Sequence, residues 1–356
     1  MMIALLALLL TLILVIGVHE AGHAIAARIF GVTIKKISIG FGRPLMQWRS
    51  KNGCDWVWGM WPLGGYVQLA NTRISPEDSS LHHHCFDKKP IWMRIIILLA
   101  GAVANVIAAW IAFVIVFSIG MNHKVPQIKE IQAGSVAAQS MMLPGDKIVA
   151  IAGNKTSSWQ EVGKNLVILW GKDTVPVTLS QSDNKLKTVV INLSNIPFAS
   201  KDRSLLSAVG ITPNSSAGTV TLQATSFYEA VIMANQAIGS LIYFFIMIIK
   251  QLISGAIPFS ILLGPLGVLA ASVSSLTQGI VVFLFFIANL SLAIAFVNLL
   301  PLPGLDGGSI IYALLEKIRG KPVSVALEVL VHRLMVIVFC LILVQLLMND
   351  LVRFVH

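Results

Sequence analysis

The sequence predicts a polytopic α-helical membrane protein that also carries a soluble, β-rich part. Of its 356 residues, 56% are hydrophobic and only 12% are charged, about half the roughly 25% charged content of a soluble domain. Its mean hydropathy is +0.81. Four stretches, roughly 2–25, 95–119, 280–302 and 328–348, can cross a hydrocarbon core about 30 Å thick, which takes about 20 apolar residues. That predicts about four transmembrane helices. A fifth apolar stretch, roughly 230–253, contains AIGSLIYFFIMII and is ambiguous between spanning and lying on the membrane.

The first span could be mistaken for a signal peptide. It lacks a basic leading region, and its apolar character continues past a polar cluster through AIAARIF, so a retained helix is the better reading. The formal net charge of +10 comes from lysines and arginines scattered between apolar runs. They are not clustered among aromatic residues, so nucleic acid is excluded as a partner and the charges read as topology signals. Cys54, Cys85 and Cys340 lie far apart without metal-ligand spacing, which argues against a disulfide framework and a cysteine-based zinc site.

Between the first two spans, residues 28–94 carry ten lysines and arginines from Arg28 to Arg94, and the linker before the last span holds Lys317, Arg319, Lys321 and Arg333. Basic loops stay on the cytoplasmic side. The first span therefore runs inward and the second outward, leaving the long 120–228 segment outside. Within 34–69, the runs VTIKKISIGFG and CDWVWGMWPLGGYVQL are rich in Val, Trp and Tyr and punctuated by Gly and Pro, which predicts a membrane-associated β-hairpin region. Its GMWPLGGYV portion is too apolar for a solvated loop and is expected to dip toward the membrane.

Residues 120–195 alternate short β-rich runs (QIKEI, KIVAIAG, TVPVTL, KTVVINL) with a helix at SSWQEVGKNLVIL. The stretch IQAGSVAAQSMMLPGDKIVAIAGNKTSSWQEV resembles a PDZ domain of the permuted bacterial type. That resemblance implies an extracytoplasmic module able to bind an extended peptide or regulator by strand addition, although no clear carboxylate-binding loop is present. The resulting division is an N-terminal membrane region at 1–119, a PDZ-like domain at 120–210, a linker with an amphipathic or partly embedded helix at 211–279, and a C-terminal membrane region at 280–356.

The chemistry centres on His19-Glu20-Ala21-Gly22-His23. On a helix, residues i and i+4 share a face, so both imidazoles can reach one metal ion while Glu20 serves as general base. His19, Glu20 and His23 lie within an apolar span, where ionisable residues are costly and by default functional. A catalytic zinc takes three protein ligands and keeps one open position. Asp306, in Asn298-Leu-Leu-Pro-Leu-Pro-Gly-Leu-Asp306-Gly-Gly, is the first candidate for the third, because it closes the third long span at the same inward depth. Taken alone, that segment would read as a proline-terminated helix followed by a turn. Glu316 and Glu328 are rival ligands, expected to be solvated in the basic linker. The run His82-His83-His84 reads as an exposed loop with weak metal affinity.

The paired motifs, HEAGH in the first span and N-x-x-P-x-P-x-L-D-G-G late in the chain, resemble the site-2 protease family of intramembrane zinc metalloproteases, in its PDZ-bearing bacterial branch. PLGGYV at 62–67, Gly101-Ala-Val-Ala-Asn105 and Gly264-Pro265 match as well. Ala102 departs from a frequent proline, and one PDZ-like unit stands where some relatives have two. The resemblance implies one catalytic Zn2+ on His19, His23 and Asp306, with Glu20 as catalytic acid and base. It implies that Asn298 bonds substrate backbone or steadies the oxyanion, and that Gly64, Gly65 and Tyr66 belong to an edge strand pairing with an unwound substrate helix; Asn105 either positions substrate or packs the spans as a buried polar contact. It further implies cleavage of single-span membrane proteins, such as pre-cleaved anti-sigma factors or remnant signal peptides, in a bacterial inner membrane, with the PDZ-like domain as a periplasmic size filter. A metal transporter and an inactive scaffold are the alternatives; a transporter should show repeated halves, and a scaffold needs no Glu20. If both metal-bearing ends face inward, an even number of crossings separates the outer domain from the third span. Either 230–253 lies on the outer surface, as is favoured, or it and a partner near 257–276 both cross.

Overall fold

The computed structural model describes residues 2–50, 53–74, 78–181, 185–194, 196 and 204–355. The chain opens with α1 (Met2–Thr11), a π-helical turn over Leu12–Gly17 and α2 (Val18–Ile29), which together form one continuous helix. Two long strands follow, β1 (Ile34–Arg49) and β2 (Asp55–Leu69), then α3 (Ile91–Ile119). The next elements are β3 (Met121–Lys124), β4 (Ile128–Ile131), α4 (Val136–Gln139), β5 (Lys147–Ile151), β6 (Asn154–Lys155), α5 (Trp159–Leu169), β7 (Val175–Ser180) and β8 (Leu186–Ile191). After them come α6 (Leu205–Val209), β9 (Ile211–Pro213), β10 (Thr219–Leu222), α7 (Phe227–Ile253), α8 (Pro265–Gln278), α9 (Ile280–Asn298), α10 (Asp306–Arg319) and α11 (Val325–Val355). Six helical stretches among the described residues are long and apolar enough to cross a membrane by length and composition. The four expected spans are among them; the other two are Phe227–Ile253 and Phe259–Gln278.

The chain divides into two compact units, Met1–Phe113 with Val268–Val344 and Val114–Gly267 with Gln345–His356. In the first, α2 and α3 cross at very short range. A Cβ placed on Gly22 would lie 2.3 Å from the Ala100 carbonyl oxygen and 2.8 Å from the Ala104 methyl, so only small residues permit the crossing, as is usual between helices in lipid. Val15, Phe283 and Ile287 form a buried cluster joining the first helix to α9. The strands β1 and β2 pair along their length, and Ile37 and Ile39 have partners on two sides: Val67 and Gly65 on one, Trp56 and Trp58 on the other. Each long strand therefore pairs twice, as a bent ribbon, with Trp48, Trp56 and Trp61 exposed toward its far end.

Two ion pairs hold the basic loops of this unit together. Arg94, at the start of α3, is buried and donates to both carboxylate oxygens of Glu316 in α10, at 3.0 and 2.9 Å. Arg73 donates to Glu328 at 3.0 Å and to the Val323 carbonyl. Glu316 and Glu328 are thus engaged by arginines, which corrects the expectation that they are solvated. The two basic segments read as cytoplasmic meet directly through Arg73.

The second unit is a β-rich module. β5, β6, β7 and β8 form an antiparallel sheet in the order β6-β5-β7-β8, and Val162, Leu166 and Leu169 of α5 are buried in the core it forms with Ile148, Val177 and Leu179. Ser158 caps α5 by accepting from the Glu161 amide. Beyond residue 210 the chain returns to the module: β9 pairs with β4 and β10 with β3. Phe244, Ile248 and Leu252 of α7 pack against the same core, and Ile257 is fully buried in it. The Gln251 side-chain amide donates to the Val167 and Trp170 carbonyls at the end of α5, at 3.4 and 2.9 Å. The fully buried Asp350 accepts from the Gly264 and Gly267 amides, 2.9 Å each, and so caps α8.

In the loop before α3, Asp87 accepts from both the backbone and the hydroxyl of Thr72, at 2.8 and 2.5 Å. Burial alone would raise its carboxyl, but the Thr72 hydrogen bonds outweigh it and hold the group below its ordinary value of 3.8. A depressed carboxyl stabilises the fold above its unfolded value and loses that contribution as pH falls through the folded one. Asp87→Asn should therefore cost about 1–2 kcal/mol at pH 6–8, and the deficit should shrink below about pH 4, as read by thermal unfolding of the solubilised protein.

Candidate metal centre

His19 and His23 sit one turn apart on α2, directly after the π-helical turn. Asp306 is the first residue of α10 and comes from a chain segment 283 positions later than His23. The two glycines after it make that approach possible. A Cβ on Gly307 would lie 2.3 Å from the Leu300 carbonyl oxygen, and one on Gly308 2.2 Å from that of Leu302. The start of α10 therefore folds tightly against the loop that ends α9, and any larger residue would push Asp306 away.

The structure brings the three predicted ligands together. His19 Nε2 and His23 Nε2 each lie 3.2 Å from Asp306 Oδ2, and the two nitrogens lie 3.2 Å from one another. Tetrahedral zinc with bonds of about 2.0–2.1 Å spaces its donors about 3.3 Å apart, so this near-equilateral triangle fits one ion. Asp306 Oδ2 is buried and finds no hydrogen-bond donor. Three lone-pair atoms facing one another in a buried site are unfavourable without a cation among them, and two imidazoles with a carboxylate are a zinc-type donor set. Among the described residues this is the one group of three His, Cys, Asp or Glu side chains with metal-ligand spacing. His84 bonds the Gly31 carbonyl instead, at 2.9 Å.

Both imidazoles are held from behind. His23 Nδ1 lies 2.8 Å from the Ile97 carbonyl oxygen, so Nδ1 carries the proton and Nε2 is free to bind metal. His19 Nδ1 lies 3.5 Å from the Asn105 side-chain amide, whose Oδ1 is buried without a partner. Asn and His orientations are interchangeable by rotation about the last bond, and turning Oδ1 toward His19 Nδ1–H would satisfy both groups. Asn105 is fully buried and lies against His19, as a polar contact between the helices. Gly101 clears the space between the helices: a Cβ there would lie 2.3 Å from His23 Nε2 and 2.8 Å from His19 Cε1.

Glu20 faces a cavity of about 670 Å³ between the first helix and the β1–β2 ribbon, walled also by Arg28, Ile37, Ile39 and Trp56. The Val67 backbone amide hydrogen-bonds the Glu20 carboxylate, and a Cβ on Gly65 would lie 3.3 Å from Glu20 Cγ. The Gly65–Val67 stretch thus runs beside Glu20. Gly64 and Tyr66 are occupied differently. The Phe41 ring fills the space at Gly64, Tyr66 stacks on that ring at 6.1 Å between centroids, and Lys36 Nζ sits 5.5 Å above the Tyr66 ring. Asn298 donates to the Ile294 carbonyl of its own helix, at 3.1 Å.

The family model described as Peptidase family M50 matches residues 7–343, nearly the whole chain and every residue of this centre. The chain belongs to peptidase family M50. It is therefore a metalloprotease of the site-2 type and a multi-pass membrane protein. The regulator of sigma-E protease RseP of Escherichia coli K12 is 27% identical, over 95% of this chain and 96% of the relative. A protein of Agrobacterium fabrum that carries the name zinc metalloprotease is 31% identical, over 92% of this chain and 89% of its own length. The regulator of sigma E protease of Haemophilus influenzae is 25% identical, over 97% and 98%. The alignment with the Escherichia coli relative runs to 431 positions, more than the 356 residues of this chain, so that relative contains inserted sequence.

Sequence reasoning missed the Ile97 carbonyl because a backbone atom leaves no side-chain signal. Gly101 was visible as a motif, but its function as clearance for two imidazoles needed coordinates. Replacing Gly101 with leucine should lower zinc affinity roughly 10–100-fold, measured by competition with a chromogenic chelator, while helix content by circular dichroism stays unchanged.

Proposed function

We propose that the protein is an intramembrane zinc endopeptidase that cuts extended transmembrane segments of other membrane proteins. The observation that carries this reading is the convergence of His19 Nε2, His23 Nε2 and Asp306 Oδ2 at 3.2 Å within apolar helices, with Glu20 next to the pair. In this reading His19, His23 and Asp306 hold one zinc ion, which when bound supplies Lewis acidity to the scissile carbonyl and to the attacking water. Glu20 takes a proton from that water on its carboxylate and returns it to the leaving amide nitrogen. The Val67 amide keeps the Glu20 carboxylate turned toward the cavity, and Asn105 and the Ile97 carbonyl keep both ring Nε2 atoms available.

The substrate must be extended before its carbonyl is accessible, because a helix hides its carbonyls in its own hydrogen bonds. The Gly65–Val67 stretch beside Glu20 supplies backbone for that purpose: an added strand there would place its carbonyls next to the general base. Asn298, at the end of α9, is placed by its motif to steady the oxyanion once its bond to Ile294 is exchanged. The substrates proposed are single-span membrane proteins, including pre-cleaved anti-sigma factors and remnant signal peptides. Glu20→Gln should retain zinc by metal analysis yet lose roughly 10²–10⁴-fold in cleavage of a single-span reporter; zinc-dependent ion flux without cleavage would sink the reading.

We further propose four crossings, by the first helix, α3, α9 and α11, in a bacterial inner membrane, with the metal centre toward the cytoplasm and the β-rich module, PDZ-like in sequence, outside. The Arg73–Glu328 and Arg94–Glu316 pairs support one side for both basic loops. Regular helix in the Phe259–Gln278 stretch is limited to the 14 residues of α8, which reach about 21 Å, the rest being a short 3-10 turn and loop, and α7 lays Phe244, Ile248 and Leu252 on the β-rich core. Both helices then lie at the outer surface, which keeps the crossing number even between the module and α9. With the native cysteines replaced, Ser240→Cys should react with a membrane-impermeant maleimide added from outside. Protection until detergent is added would favour six crossings.

A further inference from the structure

A second cavity lies wholly within the β-rich unit, between α5 and α7, and encloses about 670 Å³. Lys155, Lys164, Lys172 and Lys250 line it, against the single acid Glu161. The Glu161 carboxylate is already engaged, accepting from the Ser157 amide and hydroxyl at 2.5 and 2.7 Å. Among the described residues none of the four lysines pairs with a carboxylate. Desolvation pushes the Lys164 ammonium below the ordinary lysine value, only partly offset by Glu161. Lys155, Lys172 and Lys250 are exposed around the partly buried Lys164, so the cavity carries a concentrated positive charge that a bound anion would neutralise.

The wall supplied by α7 narrows the choice of anion. Tyr243 lines the cavity and is half exposed, and Ile242 and Ile246 beside it are exposed as well. A free phosphate makes no use of an apolar stripe. A phospholipid uses both parts, its phosphodiester among the lysines and its acyl chains along the helix, with tyrosine at the boundary where such rings concentrate. We propose that this cavity binds the headgroup of an anionic phospholipid whose acyl chains lie on the exposed face of α7. The site rests on α7 being a surface helix and is independent of the hydrolytic centre.

The test uses the full chain purified in detergent, with lipid retention read by native mass spectrometry. Wild type should retain phosphatidylglycerol roughly tenfold in preference to phosphatidylcholine. The variant with Lys155, Lys164, Lys172 and Lys250 all changed to Gln should lose that preference, with zinc content as the check on folding. A milder pair, Lys155→Gln with Lys172→Gln, alters only exposed side chains and should still reduce retention about threefold. Lys317→Gln with Lys321→Gln, in the basic linker, should leave it unchanged. Equal retention of the two lipids, equal loss in the linker control, or complete displacement of phosphatidylglycerol by millimolar inorganic phosphate would each overturn the proposal.

Discussion

Placing two imidazoles and a carboxylate side by side among apolar helices costs several kcal/mol per group unless their lone pairs share a cation, and the membrane unit is organised around that cost. The histidines arrive on one helix and the aspartate on another, so neither segment makes the three-atom cluster alone. Small residues make the meeting possible. Gly22 lets α2 touch α3, Gly101 leaves room for the rings, and Gly307 and Gly308 let α10 turn back toward them. The Arg94–Glu316 pair then ties α10 to α3 ten residues beyond Asp306.

Orientation is divided between side-chain and main-chain groups. The His23 ring is held by a carbonyl of α3, and Asn105 of the same helix lies against His19 Nδ1, so α3 brings neither imidazole yet orients both. Glu20 is steadied from the opposite side by β2. Glu20 thus faces the ribbon while His19 and His23 face α3, on opposite sides of one helix.

The convergence of His19, His23 and Asp306 was legible in the sequence because helical spacing and two distant motifs at matching depth need no coordinates. The β-runs of 120–195 were legible for a similar reason: alternation and turn residues are local signals. What the sequence hid was pairing across long separations. Glu316 and Glu328 looked solvated because their arginine partners lie more than 200 residues away. Residues 211–222 read as linker, yet they return as β9 and β10 because their partners β4 and β3 lie about 80 residues or more earlier. Tyr66 was assigned to substrate on its motif alone, and its stacking on Phe41 depends on a ribbon bend that no short window reveals.

The π-helical turn over Leu12–Gly17 gives the first helix two phases. Before it, Thr11 and the Ala7 carbonyl meet Ser272 of α8, at 2.8 and 3.3 Å. After it, Gly22 meets α3 and the two histidines meet Asp306. A uniform α-helix advances about 100° per residue, so one rigid cylinder would have to satisfy both neighbours with a single angular setting. The wider turn works as a vernier: it absorbs the mismatch between the two contact faces, so the helix can be anchored at one end and still aim its histidines at the other.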